Sequence, residues 1–183
     1  MIYNERTQRH EQVVASARQM LTAARTAPKA RGVDIIEAIL VEGDDLKLLA
    51  DRMVEIGNNR NRPSFIRDAG NVLQAECIVA IGTRYQSLGL NCGHCGFATC
   101  AEREHSSDSQ HFEVPCSLNS IDVGIAVGSA CATAADLRLD TRVMYSIGVA
   151  VEQLGWIGEG IHLTMGIAVS ASSKNPFFDR PTK

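Results

Sequence analysis

Between Leu88 and about Pro115 the chain loses all hydrophobic period. A stretch of this length has no apolar face of its own to bury. Loops longer than about 12–15 residues inside a compact domain are usually functional or mobile. Three of the six cysteines fall here within nine positions, in "NCGHCGFATC" (91–100). The rest of the chain has to form the core around this segment, and the thiols are the obvious means of closing it.

The flanking sequence reads as helices interspersed with a few strands. "HEQVVASARQMLTAARTA" (10–27) carries apolar groups along one helical face and runs into Pro28. "DIIEAILV" (34–41) and "CIVAIGT" (77–83) read as buried strands. Asp44 or Asp45 can cap a helix through "LKLLADRMVEIG", with Gly57 as its stop, and Pro63 suits the first turn of the next helix, "PSFIRDAGNVLQAE". "NSIDVGIAVGSACATAADL" (119–137) predicts a helix capped by Asn119 or Ser120. Its small-residue stripe (Gly124, Gly128, Ala132) predicts close packing against another backbone. "TRVMYSIGVAVEQLG" (141–155) predicts a helix ended by Gly155. In "IHLTMGIAV" (161–169), Ile161, Leu163, Met165, Ile167 and Val169 alternate with His162, Thr164, Gly166 and Ala168, as in a strand. No repeat or linker divides the chain. The expectation is one α+β domain over 1–183, with the cysteine loop inserted in it and a four-cysteine region spanning 75–137.

Composition narrows the function. Apolar residues make up 45%, charged residues 21%, and the formal net charge is −3. That balance argues against a general nucleic-acid binder. No apolar run approaches the roughly 20 residues of a bilayer span. The polar start, "MIYNERTQRHEQ", lacks the apolar stretch of a signal peptide. A cytoplasmic protein without a membrane partner is expected, and there thiols stay reduced and clustered cysteines are metal ligands more often than disulfides.

Cys92, Cys95, Cys100 and Cys116 give the spacing C-x2-C-x4-C-x15-C. A [4Fe–4S] cluster needs four converging thiolates. A two-residue gap lets a tight turn aim the first pair the same way, and Gly93 and Gly96 supply the permissive backbone. N–H groups freed by the turn can donate to cluster sulfur. Zinc competes through Cys92, Cys95, Cys100 and His105, a Cys3His set that would stabilise a binding module without redox chemistry. A disulfide or catalytic thiol is a third possibility. Cys77 and Cys131 sit in apolar segments and read as small hydrophobes. His94, His105 and His111 read as exposed loop residues.

The run "NCGHCGFATC", with "CSLNSIDVGIAVGSACATAADLRLDTRVMYSIGVA" and "GIAVSASSKNPFFDR", resembles the four-cysteine [4Fe–4S] domain of electron-transfer complexes and corrinoid iron–sulfur proteins. In longer context it resembles an uncharacterised prokaryotic ferredoxin-domain family. That resemblance implies electron transfer with a redox partner protein or small molecule. The scaffold is also similar to nitroreductases, through "MLTAARTAPKARGVD", "DLKLLADRM", the 121–137 helix and the last strand with its tail. This second resemblance implies nitroreductase-like helices around a small sheet, a homodimer, oxidoreductase activity and FMN. Lys29 and Arg31 would lie near the flavin, and Lys174 and Arg180 near its phosphate. The N-terminal segment offers only Arg6 and Arg9 for the arginine-rich flavin motif of that family.

Overall fold

The computed structural model describes residues 2–106 and 114–178. Its elements run α1 (Glu5–Thr26), β1 (Ile36–Glu42), α2 (Asp45–Asn59), α3 (Pro63–Val72), β2 (Cys77–Arg84), α4 (Cys100–His105), α5 (Ser117–Asp136), β3 (Asp140–Met144), α6 (Tyr145–Gln153) and β4 (Ile161–Ser170). The strands form one antiparallel sheet in the order β1-β2-β4-β3. The inner strands β2 and β4 are covered on both faces, and β2 accordingly reads as an apolar run. On one face Val41, Ile78, Ala80 and Ala168 meet Leu49, Met53, Phe65, Ile147 and Val151 of α2, α3 and α6. On the other, Cys77, Val79, Ile81, Ile167 and Val169 meet Val13, Ala17 and Met20 of α1 and Val123, Ala126 and Ala130 of α5. The result is the expected α+β architecture, with helices on both sides of a small sheet.

Several elements differ from the sequence reading, each for a local reason. α1 starts earlier, at Glu5, because the Asn4 side chain accepts the Arg6 N–H at 3.1 Å and caps it. Asp44 stands at the start of α2 but makes no side-chain cap bond. Gly57 does not stop α2; it lies inside the helix, where a Cβ would come within 2.9 Å of Ile66 Cγ1. The glycine serves the contact between α2 and α3. Residues 141–155 are not one helix: Thr141–Met144 pair with β4, and α6 begins only at Tyr145. The strict alternation of β4 breaks at Leu163, which has a φ of 55° beside a register shift in the β2 pairing. Ile161 therefore packs with Ala168 on the α6 side and not with Ile167 and Val169.

α5 begins at Ser117, so Asn119 and Ser120 lie in its first turn and do not cap it. Gly124, Gly128 and Ala132 face outward, and nothing stands within 4 Å of a Cβ built at either glycine. Among the described residues, nothing packs on the stripe. By length and composition α5 is the one helix among the described residues that could cross a membrane; its buried side packs on the sheet and α1.

The glycine that matters most is Gly148 in α6. A Cβ there would overlap the Thr164 carbonyl of β4, and one at Gly166 would overlap Ile147. Gly148→Ala is expected to destabilise by about 1–3 kcal/mol or more through overpacking. Gly124→Ala, exposed in a helix interior, is expected to be neutral or to gain roughly 0.5–1 kcal/mol. Chemical denaturation of both variants checks this; equal midpoints would contradict the packing.

Candidate functional site

The site is built where β2 leaves the sheet and α5 enters it. The Asn119 side-chain amide donates to the carbonyls of Gln86 at 2.9 Å and Arg84 at 3.4 Å. This fixes the first turn of α5 against the segment following β2. Arg31 Nη1 donates to the Leu88 carbonyl at 2.6 Å and holds the same segment from the other side. Beyond it the backbone turns through positive φ at Gly89, Asn91, Gly93 and Gly96 (64°, 48°, 73° and 90°). The left-handed region strains side chains other than those of Gly and Asn, so this segment needs its composition. The Gly96 N–H closes the turn onto the Gly93 carbonyl at 2.9 Å.

Asn91 then grips the start of α4. Its Oδ1 accepts from the Cys100 N–H at 2.8 Å, and its own N–H donates to Cys100 Sγ at 3.4 Å. A capping box completes the helix start: Thr99 Oγ1 accepts from the Glu102 N–H at 3.1 Å, and Glu102 Oε2 accepts from the Thr99 N–H at 3.4 Å. Ser117 Oγ donates to the His94 carbonyl at 3.0 Å and draws the CGHC turn to the start of α5. Cys116 occupies the residue before α5.

Together these contacts bring Cys92, Cys95, Cys100 and Cys116 to the wall of one cavity, which they share with Arg103, Phe97 and Leu88. Cys116 is buried, Cys95 and Cys100 are half-buried, and Cys92 is exposed. The free space is about 10 Å³, no more than one water molecule needs. A larger group would have to displace the exposed Cys92–Cys95 side of the wall outward. Among the described residues, no three His, Cys, Asp or Glu side chains gather closely enough to hold one metal ion. The four thiols surround the space without meeting at a point. As a donor set they fit an iron–sulfur cluster, which is held by thiolates and tuned by N–H donors to sulfur.

His105 is exposed at the end of α4 and does not line the cavity; His94 is exposed as well. His111 lies outside the described residues. Burial, with the Glu42 and Glu76 carboxylates, pushes the Cys77 thiol up to about 12. Burial also raises Cys131. Cys100 moves the other way: a hydrogen bond from the Ser87 hydroxyl, then backbone N–H groups led by Asn91, lower its pKa.

Of the residues carried over for a flavin, Lys29 and Arg31 lie at one end of α1 and Lys174 near the other. Lys29 is folded back on the end of α1, its Nζ donating to the carbonyls of Arg25 at 2.5 Å and Ala27 at 2.8 Å. Arg31 lies against the cysteine segment. Lys174 follows Ser173, which lines a pocket with Arg6 and Arg9 at the opposite end of α1. That helix has 22 residues, a length of about 33 Å at 1.5 Å per residue. Arg180 lies outside the described residues. A separate open groove of about 530 Å³ runs between α5, α6 and β4, lined by Ser120, Val123, Gly124, Tyr145, Glu152 and Leu163 among others.

Sequence reasoning passed over α4, Asn91 and Arg103, and took Asn119 only as a candidate helix cap. The Thr99–Glu102 pair at capping-box spacing was available as a helix signal. Nothing local marks the part Asn119 plays in the site, because its partners lie more than 30 residues away.

The fold is that of nitroreductases. A nitroreductase with bound FMN from Desulfitobacterium hafniense superposes with a TM-score of 0.56 at 14% identity, over all of this chain and 85% of the other. Nitroreductase A from Vibrio parahaemolyticus matches with a TM-score of 0.56 at 14% identity, over 92% of this chain and 61% of that one. An oxidoreductase containing FMN matches at 0.55 with 17% identity, over 87% and 67%. The chain spans only 58–67% of the length of several of these structures.

In sequence, an uncharacterized protein of Archaeoglobus fulgidus is 39% identical over 186 aligned residues, covering all of both chains. Residues 113–180 match the family described as "Uncharacterized protein containing a ferredoxin domain (DUF2148)". The chain belongs to this ferredoxin-domain family. The matched segment holds Cys116; Cys92, Cys95 and Cys100 precede it.

The thiolate is the reactive form of cysteine. In metal-free protein at neutral pH, iodoacetamide is expected to label Cys100 well before Cys131 and to leave Cys77 unmodified until the chain unfolds. Peptide mass spectrometry over time checks the order, and early labelling of Cys77 would contradict the described core.

Proposed function

We propose that the protein carries one [4Fe–4S] cluster on Cys92, Cys95, Cys100 and Cys116 and works as an electron-transfer or redox protein in the cytoplasm. The observation that carries this reading is the shared cavity: the thiol 16 positions beyond Cys100 lines it, while the nearer His105 does not. Membership of a ferredoxin-domain family supports the same chemistry. When bound, such a cluster supplies one-electron transfer. The residues have separate tasks. The turn at Gly93–Gly96 presents Cys92 and Cys95, Asn91 orients Cys100 and donates to its sulfur, and α5 delivers Cys116 from the rigid side. The region 75–137 is the unit we assign to this site.

Metal and acid-labile sulfide analysis of anaerobically prepared protein tests the reading. Expected are about four iron atoms per chain and a broad absorbance near ~400 nm. Cys116→Ser is expected to lose most of the iron, and His105→Ala to keep it. The reverse pattern, with one zinc per chain, would establish the Cys3His alternative instead.

A second reading is a flavin-dependent oxidoreductase of nitroreductase type. It is favoured by the structural neighbours whose descriptions name FMN, by the groove beside α5, and by the basic pocket at Arg6, Arg9 and Ser173. Lys29 and Arg31 and the basic pocket near Lys174 sit at opposite ends of α1, farther apart than one flavin mononucleotide reaches. They can serve one flavin only across two chains. The exposed Ile121, Ile125, Tyr145 and Leu163 around the groove suit such a homodimer. An FMN titration with sedimentation of the protein checks it: one flavin per chain in a dimer is expected, and a monomer that leaves FMN unbound would sink it. In both readings the redox partner is a protein or a small molecule.

A further inference from the structure

We propose that Arg103 is the internal cation of the cysteine site, tying Cys116 to the rest of the ligand set and raising the potential at which the site accepts an electron. This rests on the cluster reading above. Arg103 lies three residues after Cys100 on α4, a spacing that places both on one face of the helix. Its residue surface is 4% exposed. It is the one charged side chain among the residues lining the four-cysteine cavity.

Two features show that this is more than a buried stem with a solvated head. Nη1 donates to the Val114 carbonyl at 2.8 Å, two residues before Cys116. One guanidinium thus joins the helix that carries Cys100 to the strand of chain that delivers Cys116. Meanwhile Nε is buried without a hydrogen-bond partner among the described residues. Among the described residues its ion pair is with Glu104, whose Oε1 is 3.5 Å from Nη2 and half-exposed, so the pair is screened and weak. An uncompensated guanidinium in a buried site is costly, and an unmade bond from a charged donor adds to the cost. Four thiolates around the same cavity provide the missing negative charge, and their sulfurs are acceptors. A positive charge beside an anionic centre favours its reduced, more negative form, one of the means by which proteins set cluster potentials.

The test uses full-length protein, reconstituted anaerobically, as wild type, R103K and R103Q. Iron content is measured, and the midpoint potential is read by reductive titration followed by electron paramagnetic resonance. R103Q is expected to titrate at a more negative potential, with R103K close to wild type. R103Q at the wild-type potential with full iron would overturn the charge role. The tether is read separately in the metal-free proteins, by iodoacetamide labelling of Cys116 with Cys77 as the control for folding. Faster labelling of Cys116 in R103Q, with Cys77 still protected, is expected; an unchanged rate would overturn the positioning role. A wild-type protein that takes up no iron defeats the cluster reading itself, while the labelling result still decides whether Arg103 holds Cys116.

Discussion

The two inner strands, β2 and β4, are buried on both faces, and most of the chain exists to cover them. An antiparallel sheet can leave one face to water, but Val79, Ile81, Ile167 and Val169 on one side and Ile78, Ala80 and Ala168 on the other leave no such face. Two helical layers follow. Gly148 and Gly166 let α6 settle directly on β4, and α1 with α5 closes the opposite side. Because β2 and α5 are each held by the core, the end of one and the start of the other become fixed points. The cysteine segment is strung between them.

This explains why residues 88–106, which have no apolar period, have a defined shape. It is held by polar contacts from rigid elements: Asn119 of α5 on the Gln86 carbonyl, Arg31 on Leu88, Ser117 on His94 and Arg103 on Val114. None of these uses a cysteine. The thiols are left to face the cavity, where ligands have to be. Positive φ at Gly93 and Gly96 and the N–H donation to Cys100 Sγ serve the same end.

How much of this the sequence disclosed follows from how far each signal reaches along the chain. β1, β2, α1, α3 and α5 show in local period and in Pro28 and Pro63. The helix start at Thr99 was local too, and the capping-box spacing carried it. β3 was hidden because Thr141–Met144 has no strand pattern of its own; it becomes a strand only by pairing with β4. Gly57 looked like a stop because its role in packing against Ile66 depends on α3. In the site, the four thiols were legible from spacing, whereas Asn119 and Arg103 act on carbonyls 11 to 35 residues away. The outward-facing stripe on α5 was legible as small residues but not as exposed ones.

The site therefore combines a nitroreductase-type scaffold with a thiol cage at the start of its long helix. The Asn119 and Ser117 contacts make the helix end and the loop one unit, so Cys116 is a fixed wall facing the exposed Cys92–Cys95 turn. Mössbauer spectroscopy of protein grown on iron-57 tests this most directly. The account predicts one cubane-type signal whose iron is bound by thiolate, lost when Cys116 is replaced by serine. A mononuclear iron signal, or iron retained unchanged in Cys116→Ser, would contradict it.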